Sequence, residues 1–170
     1  MRRAYLLAIL LVSGCMAVQA AKNGDTVSVD YVGKLQDGTV FDTSIAAAAK
    51  AAGAYNAQRD YAPLTVKLGS GGVIKGFNDG IVGMRVGQTK DVTIPPEEGY
   101  GESQEELIIN VSTEELRQAG INATIGMEVG SRSGARGKIM AVADGNVTID
   151  FNHPLAGKTL IFTITLVSIK

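Results

Sequence analysis

Few side chains in this sequence are equipped for covalent, metal or phosphate chemistry. It holds one histidine, His153, and one cysteine, Cys15, so it has neither a Cys/His set with metal-ligand spacing nor a disulfide of its own. No G-x-S-x-G elbow occurs. Gly69-Ser70-Gly71-Gly72 resembles a phosphate cradle, but Val73 follows where such a loop needs Lys. Hydrolase, metal and nucleotide chemistry are therefore poor fits, and no metal or cofactor is implied. The aromatic residues Tyr31, Phe41, Phe77 and Phe162 read, one by one, as core residues of strands or a helix. Asp42 alone reads as a turn or capping residue, His153 as a solvated loop residue, and Tyr100 as a packed ring with a satisfied hydroxyl.

The elements that position these residues are legible from periodicity. From Asp25 the chain alternates, with Val27, Val29 and Tyr31 on one face and Thr26, Ser28 and Asp30 on the other, the pattern of a half-buried strand. Asp37-Gly38 predicts a tight hairpin that returns through Val40 and Phe41. Ser44 to Ala54 is alanine-rich and favours helix, whereas Tyr55 to Pro63 is polar and loop-like. Leu64, Val66 and Leu68 alternate again. Ile74, Phe77 and Ile81 form the stripe of a short amphipathic helix over 73–84. Thr89 to Ile94 reads as a strand stopped by Pro95-Pro96, and Thr159 to Ile169 as a long last strand.

Between Gly101 and about Asn152 the pattern changes. Leu107 to Val111 predicts a strand, and Thr113 to Gln118 a short helix with a start signal, ended at Gly120. Lys138 to Val142 and Val147 to Phe151 flank Asp144-Gly145 as a second hairpin. The block reads as an inserted subdomain.

Five ordered motifs resemble those of the FKBP-type peptidyl-prolyl cis/trans isomerases in sequence and spacing. They are Val29-Asp30-Tyr31-Val32-Gly33, Asp37-Gly38-Thr39-Val40-Phe41-Asp42-Thr43-Ser44, Val73-Ile74-Lys75-Gly76-Phe77, Gly87-Gln88 and Gly99-Tyr100-Gly101. Leu160-Ile161-Phe162 before the last strand fits as well. The stretch after Tyr100-Gly101, with Asn152-His153-Pro154-Leu155-Ala156-Gly157 at its return, resembles the SlyD-like branch, whose insert-in-flap domain binds unfolded chains. The fold this implies is α+β, a bent antiparallel β-sheet wrapped on a short helix, with a small inserted, mostly-β subdomain. Residues 21–102 and 150–170 would form the isomerase domain, and 103–149 the inserted, chaperone-like flap.

Carried over position by position, the resemblance implies Tyr31, Asp42 and Tyr100 as catalytic residues. It implies Phe41, Leu64, Val66, Val73, Ile74, Phe77, Leu155 and Phe162 as substrate-binding residues. Phe77 would form the floor where many relatives carry Trp, which implies a shallower floor and weaker macrolide binding. The Tyr100 hydroxyl and the Ile74 backbone N–H would bind carbonyl oxygens, Asp42 would orient pocket side chains, and His153 is a further candidate for substrate contact. Such a pocket suits the reaction. Rotation about an Xaa-Pro bond meets a barrier of roughly 18–20 kcal/mol, because amide resonance must be broken. An apolar site disfavours the charge-separated planar amide relative to the twisted one, and no nucleophile is needed.

Composition is that of a folded protein, 45% hydrophobic and 19% charged. The net charge of −1 and the lack of a Lys/Arg run argue against nucleic acid as a partner. Residues 1–20 differ from the rest: Arg2 and Arg3, an apolar run from Ala4 to Val12, then small residues, the layout of a secretory signal. That run is shorter than the about 20 residues a membrane-spanning helix needs. Two cleavage sites compete. Val12-Ser13-Gly14-Cys15 resembles a lipobox, and Val18-Gln19-Ala20 an ordinary peptidase site. The position of Cys15 favours the first, with a lipid-anchored, extracytoplasmic product. The expected partners are proline-containing unfolded or partly folded proteins, and the membrane through the anchor. The rival expectation is a holdase that binds unfolded chains with little isomerase activity.

Overall fold

The computed structural model describes residues 19–131 and 134–170. Residues 1–18, which hold most of the expected signal segment and Cys15, lie outside the described residues.

Strand β1 (Thr26–Leu35) alternates as its sequence predicts, with Val27, Val29 and Tyr31 buried. On one side β9 (Leu160–Ile169) runs antiparallel along it, from Val27 opposite Ile169 to Leu35 opposite Leu160. The other edge is shared: β3 (Leu64–Lys67) pairs with Thr26 to Val29, and β2 (Val40–Thr43) pairs with Val32 to Lys34. Strand β4 (Thr89–Ile94) joins β9 and completes a five-stranded sheet.

The gap between β3 and β2 falls at Tyr31, whose backbone groups must find partners elsewhere. The Ser44 hydroxyl accepts from the Tyr31 N–H at 2.9 Å. The Tyr31 carbonyl accepts from the Thr43 hydroxyl at 2.6 Å and from the Ser44 N–H at 3.1 Å. Thr43 and Ser44 are accordingly buried although polar.

A short helix, α1 (Ala46–Ala51), occupies the alanine-rich stretch. The amphipathic stripe forms α2 (Lys75–Ile81), which buries Phe77 and Ile81 against the sheet. It is shorter than predicted, because Ile74 is extended (ψ 149°) and the chain leaves the helix at Val82 (ψ 129°). Two glycines in so short a helix cost about 1 kcal/mol each in propensity, and packing explains them. A Cβ on Gly76 would lie 2.5 Å from Ile94, and one on Gly80 2.7 Å from Val92. Their absence lets α2 lie directly on β4.

A second, four-stranded antiparallel sheet comes between β4 and β9 in the chain. Its strands are β5 (Ile108–Ser112), β6 (Glu128–Gly130), β7 (Arg136–Ala143) and β8 (Asn146–Asp150), in the order β5-β8-β7-β6. Helix α3 (Thr113–Gln118) starts with a capping box between Ser112 and Glu115, the start signal anticipated in the sequence. Val129, Ile139, Val147 and Ile149 form a separate small core with Leu116, Ile121 and Phe151 packed on it. At the β7–β8 turn both Asp144 (φ 51°) and Gly145 (φ 76°) are left-handed, as a two-residue type I′ turn requires.

The Asp37-Gly38 turn differs from that expectation. Only Gly38 is left-handed (φ 86°), and four residues, Gln36 to Thr39, join β1 to β2. The Asp37 carboxylate accepts the Thr39 N–H at 2.8 Å instead, an Asx-type turn. The three-residue strand β6 has no counterpart in the sequence reading, since it is too short for a periodic signal.

The two crossings between the sheets run side by side. The Asn152 side-chain amide donates to the Gln104 carbonyl and accepts from its N–H, both at 2.9 Å. Gly157 N–H donates to the Gly101 carbonyl at 2.8 Å.

Candidate active site

Three aromatic rings meet where β1, α2 and β9 converge. Phe77 packs edge-on to Phe162 (centroids 5.0 Å, 75°) and to Tyr31 (5.7 Å, 84°), and Tyr31 lies 6.0 Å from Phe162. Such edge-to-face pairs contribute about 0.5–1.5 kcal/mol each beyond burial. The rings form the base of an open cavity of about 160 Å³ lined also by Asp42, Leu64, Gly72, Val73, Ile74 and Tyr100. The fold thus gathers residues spread from Tyr31 to Phe162 into one apolar pocket with a polar edge.

Three expected lining residues stand outside it. Phe41 packs behind Phe162 (centroids 5.5 Å, 86°) and fills the space beside Gly33, where a Cβ would meet its ring at 2.8 Å. Val66 is buried on the inward side of β3, 3.8 Å from where a Gly72 Cβ would stand. Leu155 packs against the main core. Phe41 thus backs the Phe162 wall, and Val66 and Leu155 belong to the core around it.

The polar edge is a hydrogen-bonded network. Tyr31 donates its hydroxyl proton to Asp42 Oδ2 at 2.6 Å. Arg59 pairs with Asp42 Oδ1 through Nη1 and donates from Nη2 to the Tyr31 hydroxyl at 3.2 Å. Burial pushes the Tyr31 phenol up to about 12, and the bond to the Asp42 carboxylate adds to the rise, while Arg59 opposes it. The bond to Asp42 holds the Arg59 guanidinium above its ordinary range. Tyr31 is therefore a neutral donor committed to Asp42, and Asp42 orients Tyr31 and Arg59. Arg59 escaped the sequence reading because it sits in a polar loop without periodicity, 17 residues from its partner.

The groups left for a ligand are different ones. Tyr100 is 41% exposed, and its hydroxyl makes no hydrogen bond among the described residues. The backbone N–H of Ile74 likewise has no acceptor among them. His153 stands outside the lining and stacks on Tyr100, with centroids 4.0 Å apart. Its Nδ1 accepts from the Leu155 N–H at 3.1 Å. No three His, Cys, Asp or Glu side chains converge as metal ligands among the described residues.

Known proteins share this arrangement of sequence. A family model described as FKBP-type peptidyl-prolyl cis-trans isomerase matches residues 18–167. The short-type peptidyl-prolyl cis-trans isomerase of Methanocaldococcus jannaschii is 45% identical over 147 residues, 86% of this chain and 92% of that protein. An alignment of that length necessarily enters the 108–150 segment. A probable FKBP-type 16 kDa peptidyl-prolyl cis-trans isomerase of Pseudomonas fluorescens is 26% identical over 157 residues, 91% of this chain and 95% of that protein. FK506-binding protein 2 of Yarrowia lipolytica is 47% identical over 83 residues, 49% of each chain. With an antiparallel α+β fold, an aromatic pocket and a family match over most of its length, this chain belongs to the FKBP-type peptidyl-prolyl cis-trans isomerases.

Proposed function

We propose that this isomerase assists protein folding outside the cytoplasm, and that the second sheet is a SlyD-like insert-in-flap domain that holds unfolded chains beside the pocket. In this reading residues 21–102 and 150–170 form the catalytic domain and 103–149 the insert. The pocket acts by desolvation and placement. A prolyl ring enters over Phe77 and Phe162, and the Tyr100 hydroxyl and Ile74 N–H bind carbonyl oxygens of the twisting chain. The Tyr31–Asp42–Arg59 network keeps the wall rigid. Lowering the barrier by about 4–6 kcal/mol corresponds to roughly a thousandfold to ten-thousandfold acceleration.

The observation that carries the chaperone half is the apolar surface of the second sheet. Ile108 (39%), Met127 (37%) and Met140 (53%) are exposed although the sheet has a core of its own. Flexible methionines suit a surface that must accept many sequences. The insert begins just after Tyr100, so a chain held there has its prolines close to the pocket.

Export rests on residues 1–20 and the choice of cleavage site. Ala20 bridges Arg85, the Ala21 N–H donates to the Met84 carbonyl at 2.8 Å, and the Gly83 N–H donates to the Ala21 carbonyl at 2.7 Å. Cleavage after Ala20 would cut within this bridge, whereas cleavage before Cys15 leaves it whole. This supports the lipid-anchored form.

The deciding experiment is an isomerisation assay of the mature chain on a proline tetrapeptide and on a protein whose refolding is limited by proline. Acceleration of both supports the proposal. Peptide turnover without any effect on refolding would remove the chaperone half. The mass of the native N-terminus decides between a lipidated Cys15 and a free Ala21.

A further inference from the structure

Arg59 reaches the pocket from the segment between α1 and β3, which has no helix or strand over 52–63. An arginine in such a loop has many rotamers to lose, and its side chain is 41% exposed, so water competes for it. The loop nevertheless carries an ordered stack of side chains. Lys50, in the last turn of α1, has its Nζ 4.8 Å from the centroid of the Tyr55 ring. Tyr55 lies on Tyr61 with centroids 5.3 Å apart and planes 11° from parallel. The Arg59 guanidinium lies 5.4 Å from the centroid of Tyr61. The Tyr61 hydroxyl accepts the Asn56 N–H at 3.0 Å, the Asn56 side chain accepts the Gln58 N–H at 2.9 Å, and its carbonyl accepts the Arg59 N–H at 3.1 Å. Main chain and guanidinium of Arg59 are thus both held by the same tyrosine-centred turn.

We propose that Tyr61, backed by Tyr55, is a positioning residue that holds Arg59 over Asp42 and Tyr31 before substrate arrives. The inference rests on the pocket being the isomerase site. Tyr61 touches none of the pocket's interior; it acts by restricting Arg59. An aromatic face under a partly exposed guanidinium favours the seated arrangement by about two- to fivefold over the free one. The ring face supplies that preference, and the hydroxyl adds order to the turn.

The test is a set of variants of the full chain, each confirmed by a cooperative melt. Tyr61→Leu removes the face, Tyr61→Phe keeps it, and each is made with and without Arg59→Leu. Two readouts apply: kcat/KM on a proline tetrapeptide, and the 13C shift of the Tyr31 ring carbon bearing the hydroxyl, which reports the bond that Arg59 donates. Tyr61→Leu should lower kcat/KM about two- to fivefold and move the Tyr31 signal in the direction that Arg59→Leu moves it. Tyr61→Phe should stay close to the parent, and Tyr61→Leu should add nothing once Arg59 is gone. A Tyr61→Leu variant with parental activity and an unmoved Tyr31 signal overturns the proposal, as does a loss of the same size with and without Arg59. If the parent itself turns over no peptide, the isomerase reading fails, and the Tyr31 signal alone still decides whether Tyr61 seats Arg59.

Discussion

The ring of Tyr100 lies flat on the imidazole of His153, with centroids 4.0 Å apart and planes 3° from parallel. The two come from opposite crossings between the sheets, and the Leu155 N–H fixes the imidazole through Nδ1. Tyr100 is otherwise 41% exposed, so this stack is its main restraint at the pocket rim. His153→Ala should therefore lower kcat/KM on a proline tetrapeptide about two- to tenfold, the worth of one aromatic pair. His153→Phe should recover most of it. Parental turnover by the alanine variant would show that Tyr100 needs no such support.

Substitutions at Tyr100 and Asp42 should differ in their effect on stability. The Tyr100 hydroxyl has no protein partner among the described residues, so Tyr100→Phe should leave stability within about 0.5 kcal/mol. It should still slow peptide turnover about two- to tenfold, the worth of one hydrogen bond. Asp42→Ala strips Tyr31 of its acceptor and Arg59 of its ion pair, so both activity and stability should fall, stability by about 1 kcal/mol. Urea melts alongside the peptide assay separate the two outcomes.

The contrast between these residues also marks what could be read from the chain. Alternation in β1 and β9 and the stripe of α2 reflect burial, which is local and periodic, so they were legible as elements. The pocket rings were legible only through ordered motifs, since nothing in the sequence distinguishes a core Phe162 from one that borders a cavity. Leu64 and Val66 share the inward face of β3, yet Leu64 at the start of the strand lines the cavity and Val66 further along is buried in the core, a difference of position that residue type does not reveal. Arg59 and Tyr61 left no periodic trace, because their partners are fixed by the path of an irregular loop. Gly76 and Gly80 read as helix-weakening in isolation, and only the closeness of β4 explains them.

The Tyr31 phenol should titrate near 12, against the ordinary 10. Its folded value is raised, so its contribution to stability is complete below pH 10 and is lost as pH climbs through about 12. Neither folding nor turnover should therefore show a Tyr31 limb between pH 6 and 9. A 13C titration of labelled tyrosine measures this directly, and Asp42→Ala should lower the value by removing the acceptor that adds to the effect of burial. A Tyr31 midpoint at 10 in the parent would mean the hydroxyl is not held by Asp42 in solution.

The last prediction concerns the second sheet. Its two connections to the rest of the chain are already tied together, Gln104 to Asn152 and Gly101 to Gly157, so residues 105–149 can be exchanged for a short glycine-containing loop without stretching the pocket. The small core of Val129, Ile139, Val147 and Ile149 is separate from the main one, and removing it should leave a cooperative melt. A tetrapeptide finds the pocket unaided, whereas a collapsed protein presents its proline only rarely, and capture raises its local concentration. The deletion should thus keep most of the tetrapeptide turnover and reduce proline-limited refolding about tenfold or more, since tethering gains are commonly a hundredfold or greater. Replacing the exposed Ile108, Met127 and Met140 by Ser in the intact chain should reproduce part of the refolding loss. Equal loss of both activities would mean that the second sheet helps build the pocket, and equal retention would mean that it captures nothing the pocket uses; each outcome excludes the hand-over of bound chains from the second sheet to the pocket.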